Sequence, residues 1–253
     1  MPTPSDVFAR ALHSARAALL AAVVITATLA VAVAQPVPYR GVAGGDAWLA
    51  GNFADAYQAA VQVDSAATQL LASRAASDQA VYLETEAAAA GEWLKRAEAA
   101  ALRSLELEPS GALAAAANMA LARAKGEAGL HRGGLANARL PGELRTLFER
   151  ALELEPDNAD ALVAYAAWHF ALTEIGVGWL YGGDRAQVLP LMERGVAAAP
   201  RQLNLRVEYA RVLLALDREG EAREQVETAQ GLPALSAADE FEQARARELL
   251  AAP

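Results

Sequence analysis

The chain contains no cysteine. Disulfides and thiolate metal sites are thereby excluded, as is lipid attachment at a cysteine, and stability must come from packing alone. Histidine is nearly as scarce: beyond the N-terminal segment only His131 and His169 occur, and neither belongs to a His-x-x-x-His or His-x-x-Glu pattern. A catalytic metal would need clustered donors, so neither a metal nor a cofactor is expected. The glycine pairs Gly133-Gly134 and Gly182-Gly183 lack the Gly-x-Gly-x-x-Gly or Walker spacing that cradles phosphate. Lys95 and Lys125 are the only lysines, the other basic residues being arginine.

Long apolar runs are absent except for one, Ala17 to Ala34, behind Arg10, His13 and Arg16. Basic flank, apolar run and the small-x-small site Ala32-Val33-Ala34 occur in the order of a signal peptide. Residues 1–34 are therefore expected to be removed, leaving an exported, periplasmic chain that begins at Gln35. The alternative is an uncleaved inner-membrane anchor facing the periplasm, since the run is near the lower length limit for a span. Residues 1–34 carry Asp6, Arg10 and Arg16, so the remainder has a net charge of −10 against −9 for the whole chain. That balance argues against nucleic acid and against anionic membrane surfaces as partners.

What the chain has in quantity is alanine-rich helix punctuated by proline. LRSLELEP ends at Pro109, FERALELEP at Pro156, MERGVAAAP at Pro200 and VETAQGLP at Pro233. The prolines are spaced 47, 44 and 33 residues apart, against a tetratricopeptide period of about 34. The excess is placed in loops: Ala159–Leu172 and Asp184–Ala199 read as helices separated by Thr173–Gly183, which is too glycine-rich to be helical. Leu130–Pro141 reads as a solvent loop, with His131 solvated.

Large and small residues recur in register. Leu162, Tyr165 and Ala166 match Arg206, Tyr209, Ala210 and Leu213 on first helices. On second helices, Leu144, Phe148 and Ala151 match Val188, Met192 and Gly195, and Ala222, Val226 and Ala229. The small residue lets two backbones approach closely. Gly51-Asn52-Phe53-Ala54-Asp55-Ala56 has the form of a turn entering a second helix, and Gly91-Glu92-Trp93 is expected to open a helix from Leu94 to Leu107 in which Ala97, Ala101 and Ser104 repeat the pattern. The pattern is weakest at Gly111–Gly129.

On these residues the chain resembles the tetratricopeptide-repeat family over roughly 46–232. The resemblance implies an all-α fold, a right-handed superhelix of about five helical hairpins. Residues 35–45 form a linker before it, and 233–253 a C-terminal capping helix centred on Ser236–Ala251. It also implies protein or peptide binding along a concave face lined by first helices, here including Tyr82, Asn118, Val163, Ala167 and Phe170.

The insertion Ile175–Gly183 carries Trp179 and Tyr181 between glycines. These two either roof a cavity and recognise a partner, or plug the flank of the repeat. Such insertions in an exported helical-repeat protein are similar to the T-component associated with TRAP-type uptake systems, which would make the partner an apolar small molecule or lipid. Those proteins are usually lipid-anchored, and this chain lacks the cysteine.

His169 is expected to be a core histidine hydrogen-bonded to backbone. No enzyme is expected. Lytic transglycosylases place their acid in a Glu-Ser dipeptide on a separate domain, and the chain has neither; Glu106, Glu108, Glu153 and Glu155 read as solvent-facing carboxylates.

Overall fold

The computed structural model describes residues 39–131 and 138–251. The expected signal segment, the start of the linker and the 132–137 part of the expected solvent loop lie outside the described residues. Among the described residues every regular element is helical. In chain order the helices are α1 (Gly45–Leu49), α2 (Phe53–Ala60), α3 (Ala66–Asp78), α4 (Ala87–Leu107), α5 (Gly111–His131) and α6 (Leu140–Leu154). They continue with α7 (Ala159–Glu174), α8 (Gly178–Tyr181), α9 (Val188–Ala198), α10 (Leu203–Ala215), α11 (Glu219–Gly231) and α12 (Ala237–Ala251). A π-helical turn, Gln79–Leu83, follows α3, and a 3₁₀ turn, Arg185–Gln187, precedes α9.

Local chemistry explains the boundaries. Helices α4, α6, α9 and α11 each stop two residues before Pro109, Pro156, Pro200 and Pro233. The residues preceding Pro109 and Pro156 are extended, Glu108 at φ −141°, ψ 93° and Glu155 at φ −146°, ψ 91°, because a proline ring disfavours helical geometry in its predecessor. At the starts, Ser65 and Thr68 form a reciprocal capping box on α3, and Asn158 Oδ1 accepts from Ala161 N at 2.9 Å on α7.

Helix α4 and the 173–183 insertion differ from expectation. Helix α4 begins at Ala87, ahead of Gly91. The alanines flanking that glycine offset its intrinsic cost of about 1 kcal/mol. Gly111–Gly129, where the repeat pattern is weakest, is continuous helix, with Ala114, Ala115, Ala117 and Leu121 buried. Finally, Thr173–Gly183 is partly helical: α7 runs on to Glu174, and Gly178–Tyr181 forms one further turn. Gly176 at φ +76° and Gly182 at φ +83° bracket that turn, in the left-handed conformation glycine adopts without strain.

The packing register follows the small residues. Leu162, Ala166, Ala210, Leu213, Ala222, Val226 and Ala229 are all essentially sealed from solvent. A Cβ added at Gly195 would lie 2.6 Å from Val163 Cγ2 and 3.1 Å from the Ala159 carbonyl oxygen, so α9 crosses α7 at a distance only glycine permits.

Consecutive helices pack from α1 through α7, and α7 continues onto α9 and α10. Helix α12 packs on α10 and α11 and also reaches α1. Its residues enter two separate cores. Ala246 joins the large cluster of α7, α9, α10 and α11, together with Leu249 and Leu250. Ala238 and Phe241 join the cluster built on Trp48, Phe53, Ala56 and Leu71. The last helix thus ties the end of the array to its beginning.

Candidate functional site

Helix α3 carries Arg74 and Asp78 one turn apart, and α5 brings Arg123 to the same carboxylate. Arg74 Nε donates to Asp78 Oδ2 at 3.1 Å, Trp48 Nε1 donates to the same oxygen at 2.7 Å, and Arg123 Nη1 lies 2.8 Å from Asp78 Oδ1. That last contact is an ion pair outside hydrogen-bonding alignment, and both of its atoms are buried. The Asp78 side chain is sealed, whereas those of Arg74 and Arg123 keep 29% and 23% of their surface. The arginines therefore reach accessible space and the aspartate does not. Burial disfavours the charge on Asp78, but Arg74, Arg123 and the Trp48 hydrogen bond outweigh it and hold the carboxyl below its ordinary range.

Alongside this cluster the π-helical turn presents Tyr82. Its hydroxyl donates to Glu242 Oε1 of α12 at 2.6 Å, and Arg245 Nη1 donates to the same oxygen at 2.9 Å. The Tyr82 ring stacks on Phe241, with the Arg245 guanidinium 4.8 Å from its centroid. Burial pushes the Tyr82 hydroxyl well above its usual range, so it stays protonated and keeps donating. Glu84 Oε1 accepts from both Gln79 Nε2 and Trp93 Nε1, each at 3.0 Å, and fixes the turn. π-helical turns of this kind are frequent at functional sites.

The seven residues singled out in the sequence do not converge on one surface. Tyr82 sits in the arrangement just described. Asn118 is buried, its Nδ2 donating to the Ala114 carbonyl one turn back at 2.8 Å. Val163 belongs to the large core, and neither residue offers an open face to a partner. Ala167 and Phe170 are half-buried against that core, and Phe170 has the Arg185 guanidinium 6.0 Å from its ring.

Trp179 and Tyr181 divide between the two roles considered for them. Tyr181 packs with Phe148, Trp168 and Leu172, and its hydroxyl donates to the Ala138 carbonyl at 2.9 Å. It is a plug. Trp179 is 84% exposed, with Leu180 and Ile175 also exposed beside it, so it roofs no cavity. His169 holds the far end of this insertion: it is buried, and its Nδ1 accepts from the Asp184 backbone N–H at 3.0 Å. Burial lowers the pKa of His169, which keeps that nitrogen an acceptor.

Among the described residues, no group of three or more His, Asp or Glu side chains is placed to hold a metal ion, and no helix is long and apolar enough to cross a membrane. A depression of about 300 Å³ lined by Lys125, Glu143, Thr146 and Leu147 has its ammonium already held between Glu98 and Glu143. In comparison with known proteins, no family model and no curated protein matches this chain.

Sequence reasoning missed Arg74, Asp78, Arg123, Trp48 and Glu242. One signal was available: Arg74 and Asp78 stand at i, i+4 in LLASRAASDQA, where the positions around them are alanine, serine and leucine. Charges one turn apart on a helix otherwise free of charge can share a buried partner.

Proposed function

We propose that this is an exported, non-enzymatic protein of tetratricopeptide-like architecture that binds a small molecule on the face shared by α3, α5 and α12. The union of α12 with the first helices carries this reading. An extended peptide would lie along the concave surface of a superhelix and contact residues exposed on it. Here the Tyr82–Phe241 stack and the Tyr82–Glu242 hydrogen bond join the C-terminal helix to the N-terminal hairpins, and Asn118 and Val163 are buried. A compact ligand beside the polar side chains of Arg74, Arg123 and Tyr82 suits such an arrangement.

The proposal is tested by purifying the protein from its native compartment without denaturation and analysing what is released on unfolding. One low-mass component at a molar ratio near unity is expected. A protein or peptide recovered in its place would overturn the reading. Intact mass on the same material tests export: the expected chain starts at Gln35, and retention of residues 1–34 contradicts cleavage.

A second reading, a protein partner, is favoured by one observation, the outward Trp179 with Leu180 and Ile175. Exposed aromatic and aliphatic side chains of this size commonly anchor interfaces. Loss of a native partner on Trp179→Ala, with the released small molecule unchanged, would assign the two surfaces separate roles.

A further inference from the structure

The charges of the buried cluster do not balance. Two guanidiniums meet one carboxylate, and Asp78 is already occupied on both oxygens, by Arg74 and Trp48 on one and by Arg123 on the other. A guanidinium presents several N–H donors in a planar fork and accepts nothing. Of the two guanidiniums, only Arg74 donates an aligned hydrogen bond to Asp78, through Nε, while the buried Arg123 Nη1 meets Asp78 as an ion pair outside hydrogen-bonding alignment. Of the neighbouring carboxylates, Glu242 is paired with Arg245 and accepts from Tyr82, while Asp160 accepts from the neutral Gln202 Nε2 at 2.8 Å and acts on Arg74 only through its charge. Among the groups in direct contact, one positive charge is left without a carboxylate, and both arginine side chains still reach accessible space, in a chain whose net charge is −9.

We infer that Arg74 and Arg123 together bind the carboxylate of a small organic monoanion. This rests on the small-molecule reading above and names its ligand class. A single negative charge matches the unmatched positive one. Two planar forks suit a carboxylate, which accepts paired N–H···O bonds, and charge-assisted bonds of this kind are stronger where water is partly excluded. Asp78 is a positioning residue: sealed from solvent, it is paired with both guanidiniums and is not itself accessible to a ligand.

The test uses benzoate and its uncharged isostere benzamide, titrated into the full chain while the arginine Nε–H resonances are followed by NMR. Benzoate is expected to saturate one site per chain and to shift the signals of Arg74 and Arg123. Benzamide should bind more weakly by about tenfold or more, the loss of one charge-assisted interaction. Arg123→Gln, which leaves Asp78 paired with Arg74 and Trp48, should weaken benzoate by a similar factor. If that variant does not fold by circular dichroism, the wild-type resonances and the benzamide control decide.

Equal affinity for benzoate and benzamide would overturn the inference, as would failure of benzoate to move either arginine signal at millimolar concentration. Inorganic phosphate displacing benzoate at lower concentration would overturn the carboxylate assignment. A neutral molecule co-purifying with the protein, together with no benzoate binding, would sink this inference and leave the small-molecule reading standing; neither being found would sink both.

Discussion

The ring of Tyr82 lies face to face with that of Phe241, with centroids 4.9 Å apart and planes inclined by 7°. Tyr82 belongs to the π-helical turn after α3, and Phe241 to the last helix. The pair couples the two ends of the helical array, and the Glu242 hydrogen bond to Tyr82 reinforces it. A double-mutant cycle on Tyr82→Ala and Phe241→Ala, read by urea denaturation, should give a coupling energy of about 0.5–1.5 kcal/mol. Strictly additive losses would show that the contact does not join the two regions energetically.

Removing the carboxylate between the arginines should be more damaging. Asp78→Asn is expected to cost about 3–5 kcal/mol at neutral pH, because it leaves two guanidiniums facing each other without their counter-charge. The folded-state pKa of Asp78 lies below its ordinary 3.8. Its contribution is therefore complete above that value and is lost as pH falls from 3.8 through the depressed folded value. The wild type should show this acid-limb loss and Asp78→Asn should lack it. Parallel acid limbs in the two proteins would contradict the ion-pair assignment.

His169 gives a second pH dependence, in a different window. Its folded pKa lies below the ordinary 6.5 because it is buried, so the unfolded chain takes up a proton first as pH drops. Stability is complete above pH 6.5 and declines as pH falls from there towards the folded value. Protonation would also turn Nδ1 from acceptor to donor and break its bond with the Asp184 N–H. Denaturant midpoints across this range should fall for wild type and stay level for His169→Asn, whose side-chain oxygen can still accept from Asp184.

The packing register predicts a contrast between two substitutions to leucine. Ala210 is fully buried, so Ala210→Leu should destabilise by about 1–3 kcal/mol through overpacking. Glu153, whose side chain is 64% exposed, should tolerate leucine within about 0.5 kcal/mol. Thermal melts in which Glu153→Leu is the worse of the two would refute the register.

The two aromatic residues of the 173–183 insertion should separate cleanly. Tyr181→Ala removes a packed ring and a hydrogen bond to Ala138 and is expected to lower stability by about 2–4 kcal/mol. Trp179→Ala, at an 84% exposed position, should leave the melting temperature nearly unchanged. A large stability loss on Trp179→Ala would show that it packs against part of the chain.

What the sequence determined was local. Helix ends follow from Pro109, Pro156, Pro200 and Pro233, helix starts from Ser65 and Asn158, and the close crossings from Ala166, Gly195 and Ala210. Each depends on neighbours within a turn or on a repeating pattern, so each is readable from spacing. Gly91 and Gly176–Gly183 misled because a glycine's cost is only about 1 kcal/mol, and flanking alanines or adjacent packing can outweigh it. The tertiary structure alone decided the candidate site. Arg123 meets Asp78 across two helices, and Glu242 meets Tyr82 across 160 positions of chain. No periodicity encodes such distances, because the path of the array sets them: the summed crossing angles of every preceding helix pair decide whether α12 arrives beside α1 or far from it.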